Sequence, residues 1–194
     1  MAVALVLDFP GGTMDHYEKV VERMGLGGRM APGGLFHAAG IYEGGLRVVD
    51  VWEDRDRFMR FAEEQIRPHT QAVGLPEPTI RVMFDVDEFK EGSGETPSFL
   101  QVVMLPGLDR EKFHATDKKI LPDGKAPAGV TFHVNGPVEG GWMVIDSWTS
   151  KDARDRFGEE RIQPAMHEAG LTGEPVFEDL DVKATLLERA TATA

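Results

Sequence analysis

Short apolar runs and helical apolar spacing predict the first two elements of the chain. Residues Val3 to Phe9 are almost all apolar, and the run ends at Pro10-Gly11-Gly12, which is typical of a buried strand stopped by a turn. Thr13 has a side chain suited to capping a helix, and apolar residues then recur at helical spacing to about Met24. The chain therefore begins with a predicted strand and a predicted helix.

The next segment predicts a hairpin, a second helix and a fourth strand. The hairpin covers Phe36 to Trp52 and turns at Glu43-Gly44-Gly45, where glycine supplies the positive φ that tight turns need. Asp54 begins the second helix, which we expect Pro68 to kink or restart because proline has no backbone N–H. Thr79 to Val86 predicts the fourth strand, so the order is β-α-β-β-α-β, the ferredoxin-like arrangement.

The same pattern returns 96 residues later in the chain. Between Phe36–Leu75 and Phe132–Leu171, 18 of 40 aligned residues are identical at that one offset. Such identity over a period far longer than that of solenoid repeats indicates a duplicated module. The predicted fold class is therefore α+β, with two tandem ferredoxin-like modules.

Changes in composition along the chain predict the boundaries of the modules. The first module covers residues 1–88 and the second covers 98–186. Residues 89–97 are polar and rich in glycine and serine, which predicts a linker. Residues 187–194 have no apolar period, which predicts a flexible tail.

The hairpin places a histidine opposite an aspartate in both copies. If Glu43 and Gly44 are the two turn residues, His37 pairs with Asp50, and the same register pairs His133 with Asp146. Directly opposed side chains in an antiparallel pair have Cβ atoms about 4.5–5.5 Å apart, so each pair can form a hydrogen bond. A carboxylate there fixes the imidazole tautomer and raises its basicity, which prepares a general base.

An apolar wall and further candidate substrate contacts lie close to each pair in the sequence. Trp52 and Trp148 come two residues after the aspartates and share their face of the strand. Phe36, Phe132 and Asn135 complete the predicted substrate-binding set. The same patterns also fit a structural role, in which a buried His–Asp pair sets the register and each tryptophan belongs to the core.

The two copies differ at and near the hairpin. Ala39 becomes Asn135, and Arg47 becomes Met143. This divergence leaves open whether one copy, both copies or neither is active.

Composition limits the partners of the chain. The net charge of −12 and the pI of about 4.9 argue against nucleic acid and against anionic membrane surfaces. Without cysteine there is no thiolate nucleophile and no cysteine-based metal site. The N-terminal apolar run is short and has no basic flank, so we expect a cytoplasmic protein without a signal peptide.

With this element order, the duplication and the two hairpins, the chain resembles the dimeric α+β barrel superfamily, and more closely its antibiotic biosynthesis monooxygenase-like proteins. The resemblance implies that the two modules form a barrel within one chain, as an intrachain pseudo-dimer that can form homo-oligomers. It implies an oxygenase, isomerase, decarboxylase or haem-degrading enzyme, or a protein without activity, and fold alone does not choose among them.

Haem and metal ligands are not evident in the pattern. Haem-degrading members use a helical histidine, but His69 is matched by Ala165 and His167 by Gln71 in the other copy. A metal would need a third ligand beside one histidine and one aspartate. We therefore expect neither a metal nor another cofactor.

Two functions remain open from the sequence. In the first, the protein is a cofactor-independent monooxygenase-like enzyme for a hydrophobic aromatic or polyketide-like molecule. His37, oriented by Asp50, would act as its general base, and His133 with Asp146 would do the same in the second copy or keep only the structure. In the second, it is a non-catalytic small-ligand-binding or structural protein in which the pairs only fix the hairpins.

Overall fold

The predicted element order is present in both copies in a computed structural model, which describes residues 1–169 and 174–186. The first copy contains β1 (Val3–Phe9), α1 (Met14–Met24), β2 (Gly34–Tyr42), β3 (Gly45–Trp52), α2 (Arg55–Phe61), a π-helical turn (Ala62–Ile66), α3 (Arg67–Ala72) and β4 (Thr79–Asp85). A short strand, β5 (Glu88–Glu91), follows it. The second copy contains β6 (Phe99–Pro106), α4 (Arg110–Ile120), β7 (Val130–Val138), β8 (Gly141–Trp148), α5 (Lys151–Phe157), a π-helical turn (Gly158–Ile162), α6 (Gln163–Ala169) and β9 (Val176–Asp181), and β10 (Ala184–Thr185) comes last.

The strands form two antiparallel sheets that exchange their edge strands. One sheet has the order β10-β2-β3-β1-β4, and the other has the order β5-β7-β8-β6-β9. The strand that follows each copy in the chain thus pairs with the hairpin of the other copy. Of the described residues, Met1–Asp85 and 181–186 form one compact unit, called the first unit, and the rest of Val86–Leu180 forms the other, called the second unit.

This exchange corrects the predicted linker. Most of β5 lies within residues 89–97, and β5 pairs with β7 from Glu88 opposite Asn135 to Glu91 opposite Phe132. A polar segment suits this position because charged side chains protect an exposed sheet edge while the backbone still pairs. The predicted tail, 187–194, lies outside the described residues.

Alternation along the strands gives each sheet a helix-facing side. In the first unit, Val3, Leu5, Leu7 and Phe9 pack in one cluster with Tyr17 of α1. Alternate residues of a strand point to opposite faces, so this set defines one side of β1. The paired residues of β3 on the same side include Asp50, which lies opposite Leu5.

Two predicted features of the second helix are confirmed, its start after Asp54 and its interruption near Pro68. Asp54 caps α2, and its carboxylate accepts from the backbone N–H of Arg57 at 2.8 Å. The expected restart at Pro68 appears as a π-helical turn, Ala62–Ile66, placed immediately before the turn that carries the proline. The equivalent turn, Gly158–Ile162, precedes Pro164 in the second copy. Proline lacks the N–H that a regular helix requires, and a local change in helical pitch accommodates that loss.

The hairpin turn in the first unit is the one predicted, and it places a glutamate in an unfavourable conformation. Glu43 has φ 48° and Gly44 has φ 77°, and Tyr42 pairs with Gly45 beside them. Both central residues of such a turn need positive φ, which asparagine and glycine tolerate better than glutamate.

Replacing Glu43 by asparagine is expected to stabilise the first unit by about 1 kcal/mol, because asparagine reaches positive φ at a lower cost. In a thermal scan followed by calorimetry, the midpoint should rise by about 2–4 °C. The matched control is Glu139→Asn, since the described residues with positive φ do not include Glu139. An equal shift in both variants would contradict the explanation.

Candidate functional site

The predicted His–Asp pairs are present in both units. His37 lies opposite Asp50 and His133 lies opposite Asp146 in the strand register. In each pair the imidazole Nδ1 is 2.7 Å from a carboxylate oxygen, and both imidazoles are largely buried. Because a carboxylate only accepts, Nδ1 carries the proton and Nε2 faces a different partner.

In the first unit, that partner is Tyr17. The Tyr17 hydroxyl is 2.8 Å from His37 Nε2, and the two rings stack with centroids 5.7 Å apart. Burial, together with the charge of Asp50, raises the pKa of Tyr17 well above its ordinary value, so the hydroxyl stays protonated and donates to His37. The sequence placed Tyr17 on the apolar side of α1, and no local signal identified it as a partner of the histidine.

In the second unit, a chain of four side chains determines which atoms donate. The Trp142 indole N–H only donates, and it lies 3.1 Å from Asn135 Oδ1. This contact sets the amide orientation, so Asn135 Nδ2 donates across 2.9 Å to His133 Nε2. In its neutral form, His133 therefore carries its proton on Nδ1, directed at Asp146. Asn135 is completely buried, which explains why its amide needs partners on both sides.

The electrostatic surroundings of His133 favour its protonation. Burial lowers the pKa of His133, but the charge and hydrogen bond of Asp146, helped by Asp117, outweigh burial and raise it overall. Asp117 is itself perturbed, because burial raises its pKa while Lys90 opposes the effect. The second unit therefore holds its histidine among several interacting charges.

A row of polar side chains crosses the helix-facing side of the second sheet. Lys90 pairs with His133, His133 with Asp146, and Asp146 with Gln101 on four adjacent strands. Gln101 then donates to Asp179 at 2.6 Å.

The first unit has apolar residues beside its own His–Asp pair. Asp50 pairs with Leu5, and Leu5 pairs with Met83. On the other side, the backbone N–H of Leu186 donates to the carbonyl of His37 at 3.4 Å. The two units thus share a His–Asp pair and differ in the side chains that continue its row across the sheet.

Each pair borders an apolar cavity between its sheet and its helices. The cavity of the second unit is about 120 Å³ and is lined by His133, Asp146 and Trp148. The cavity of the first unit is about 60 Å³ and is lined by the equivalent residues His37, Asp50 and Trp52, and also by Tyr17. The second cavity approaches the size of an engineered apolar cavity of about 150 Å³ that binds benzene.

Two of the predicted substrate contacts lie elsewhere. Phe36 and Phe132 do not line these cavities, because each precedes the histidine by one residue and adjacent strand positions point to opposite faces. Phe132 packs edge-on against Phe89 of β5, with ring centroids 5.0 Å apart. Asn135 does not line the cavity either, but it contacts the histidine that does.

A haem or metal group does not fit these residues. The described part of the chain brings together no group of three histidine, aspartate or glutamate side chains that could hold a metal ion. Both nitrogens of His37 and of His133 already face side-chain partners. A cavity of about 120 Å³ takes one ring and not a porphyrin.

Comparison with known proteins finds likeness in structure and not in sequence. No protein-family model matches the chain, and no curated protein matches it. Among solved structures, a candidate monooxygenase from Fusobacterium nucleatum has a TM-score of 0.71 at 15% identity, covering 96% of this chain and 94% of that one. A candidate monooxygenase from Lactobacillus acidophilus NCFM has a TM-score of 0.70 at 12% identity, with 100% and 99% covered. An anthrone oxidase-like protein has a TM-score of 0.53 at 17% identity, with 100% and 97% covered.

These likenesses cover essentially the whole chain, so the α+β class and the tandem ferredoxin-like modules are confirmed. The chain shares this fold with proteins described as monooxygenase-like. Closure of a barrel within the chain stays a prediction. None of the helices in the described ranges is long and apolar enough to cross a membrane.

The hydrogen-bond chain predicts the tautomer of His133. In its neutral form the ring should carry its proton on Nδ1, because Asn135 donates to Nε2. Ring ¹⁵N chemical shifts, measured above the pKa of His133 and assigned with a His37→Gln variant, check this. A neutral ring protonated on Nε2 would show that the amide of Asn135 is oriented the other way.

Proposed function

We propose that the second unit is a cofactor-independent monooxygenase-like site for a small hydrophobic aromatic molecule, with His133 as its general base. The observation that carries the proposal is the Trp142–Asn135–His133–Asp146 chain beside an apolar cavity. A perturbed titratable group in a cleft, oriented by a carboxylate, is a recurring feature of general-base sites.

The reaction begins with removal of a proton from an activated C–H or phenolic O–H group. The substrate takes the place of the Asn135 amide at His133 Nε2, and Glu88 Oε2, 3.4 Å from Asn135 Nδ2, offers that amide another acceptor. Asp146 stabilises the imidazolium that forms, because it accepts from Nδ1.

The substrate anion then reacts with O2, which is the only co-reactant. For an activated methylene carbon, addition of O2 and a proton produces a hydroperoxide. Loss of water from the hydroperoxide leaves a ketone, so one oxygen atom enters the product and the other leaves as water. The protonated His133 returns to the peroxide anion the proton that it removed, because Nε2 is beside the same carbon atom of the substrate in both steps.

Solved structures with the same fold support this class of reaction but do not assign it to this chain. Two of the similar structures are described as candidate monooxygenases and one as anthrone oxidase-like. The cavity of about 120 Å³ suits a single ring with short substituents better than a fused polyketide.

For the first unit, the contacts favour the non-catalytic alternative. Tyr17 occupies His37 Nε2 within a cavity of about 60 Å³, and the flanking positions of the sheet are apolar. A His–Asp pair with little space for a ligand beside it sets the register of the hairpin and packs in the core.

Replacing His133 by glutamine should lower catalysis about 10²–10⁴-fold, which is the usual contribution of a positioned base. Deuterium exchange into the acetyl methyl group of 4-hydroxyacetophenone, followed by NMR, measures proton abstraction. O2 uptake with neutral aryl ketones that carry an activated methylene measures oxygenation. His37→Gln is the matched control and should leave both rates within about twofold, and an equal loss in the two variants would refute the assignment to the second unit.

The pH dependence follows from the raised pKa of His133. The base acts only when neutral, so kcat/KM should rise with pH, with a midpoint above the ordinary histidine value of about 6.5. Asp146→Asn removes the main stabiliser of the protonated ring and should move the midpoint to lower pH. A midpoint that stays in place in Asp146→Asn would mean that another group titrates.

A further inference from the structure

An ion pair between the edge strand β5 and the helix α4 lies beside His133. Lys90 of β5 is directly opposite His133 in the strand register. Its ammonium is 3.8 Å from Asp117 Oδ2 of α4 and 3.1 Å from Glu88 Oε1. Lys90 and Asp117 also line the same cavity as His133. The ion pair is therefore part of the surroundings of the histidine in the second unit.

The duplicated unit has apolar residues at the same two positions. Val21 of α1 is the equivalent of Asp117 at the repeat offset. The register of β10 on β2 places the next residue, Leu186, opposite His37, so Leu186 is the equivalent of Lys90. Val21 and Leu186 line the cavity of the first unit. The two positions are thus both charged in the unit with the larger cavity and both apolar in the other.

Stability does not account for the charged pair. The side chains of Lys90 and Asp117 are 23% and 20% exposed, so both charges have lost much of their hydration. Burial raises the pKa of Asp117, and the charge of Lys90 opposes that effect without cancelling it. Apolar residues in place of a largely buried ion pair often give an equally stable or more stable protein. The pair therefore indicates an electrostatic role at the site.

The ammonium of Lys90 opposes the use of His133 as a base in two ways. Its charge disfavours the protonated ring, and as a donor it competes for the lone pair on Nε2. Asp117 and Glu88 bind the ammonium and so reduce both effects. Burial lowers the pKa of His133 and Asp146 raises it, while Asp117 adds to the rise and Lys90 opposes it.

The other charged groups near the ring have partners of their own. The charged and titratable groups around His133 and Asp117 are Asp146 of β8, Glu88 and Lys90 of β5, Asp117 and His114 of α4, and Arg154 of α5. Asp146 accepts from Nδ1 of the ring, and His114 is 2.7 Å from Asp87. Arg154 contacts Asp179 at 3.0 Å. The balance between Lys90 and Asp117 is therefore what distinguishes the Nε2 side of this ring.

We infer that Asp117 is a positioning residue for His133, which holds the ammonium of Lys90 away from Nε2 and leaves that nitrogen to the Asn135 amide and to a substrate. The consequence for catalysis rests on the proposed function, because only a general base at His133 needs Nε2 in this way. The effect of the ion pair on the ring is a property of the protein without substrate, and it can be measured without turnover.

NMR titration of the His133 ring in a double-mutant cycle tests the inference on the whole chain. Asp117→Asn should lower the titration midpoint by about one pH unit, because an anion is lost and the ammonium is released toward the ring. Lys90→Met should raise the midpoint, because a cation beside the ring is lost. In the Lys90→Met background, Asp117→Asn should have about half that effect or less, since no ammonium is left to release. An equal decrease in both backgrounds would mean that Asp117 acts without Lys90 and would overturn the inference.

Asp15→Asn is the matched control. Asp15 pairs with Lys19 at 2.6 Å on α1, the helix equivalent to α4. This variant also removes one anion from a helical ion pair, but it should leave the His133 midpoint unchanged. The ring signals of His37 report in every variant whether the protein is folded. A decrease in Asp15→Asn as large as that in Asp117→Asn would show a general effect of net charge and would also overturn the inference.

Deuterium exchange into 4-hydroxyacetophenone distinguishes this inference from the proposed function. If His133 is the base, the rate of exchange at high pH should fall in Asp117→Asn, because a weaker base removes the proton more slowly. The expected NMR cycle without any exchange by the unsubstituted protein would leave the inference standing and refute the general base. Exchange that depends on His133, together with an equal decrease in both backgrounds, would retain the base and refute the role of Asp117.

Discussion

The His–Asp hydrogen bond across the central hairpin is the interaction on which the rest of the site depends. It exists because the antiparallel register places His37 opposite Asp50, and His133 opposite Asp146, on the helix-facing side of each sheet. A slip of one residue would move this set of side chains from the helix-facing side to the other face of the sheet and break the pairing. The tight turn prevents that slip, and the unfavourable φ of Glu43 shows that the register is maintained at some local cost.

The duplication shows how little of the chemistry is set by the pair alone. Both units hold the imidazole Nδ1 2.7 Å from a carboxylate. In the first unit a tyrosine contacts the other nitrogen, and the row continues from the aspartate to Leu5 and then to Met83. In the second unit an asparagine takes it, and polar side chains extend the row across the sheet to Asp179. The same backbone arrangement thus holds one pair beside a cavity of about 60 Å³ and the other beside a cavity of about 120 Å³.

The sequence predicts a structural feature best where that feature depends on neighbours in the chain. The strand and helix order, the cap at Asp54 and the turn at Glu43-Gly44 are local, because each is decided by residues within a few positions. The His–Asp pairing follows from the position of the turn, because paired residues of a hairpin are the same number of residues away from it. The linker prediction was wrong in part because β5 is stabilised by backbone pairing with β7, which its own polar composition does not reveal. The contacts of Tyr17 and of Trp142 with the site join different elements, and sequence spacing alone did not indicate them.

The sequence by itself determined the duplication, the ferredoxin-like order of each copy and the pairing of each histidine with its aspartate. The physical reason is that the period of a strand, the geometry of a two-residue turn and the repeat offset act along one chain. Only the tertiary structure decided which side chains contact Nε2 of each histidine and how large each cavity is. Those properties arise where helices pack on sheets and where an edge strand of each sheet comes from the chain that follows the other copy. There, side chains that are far apart in the chain lie in one row across the sheet, which begins at Lys90 and ends at Asp179.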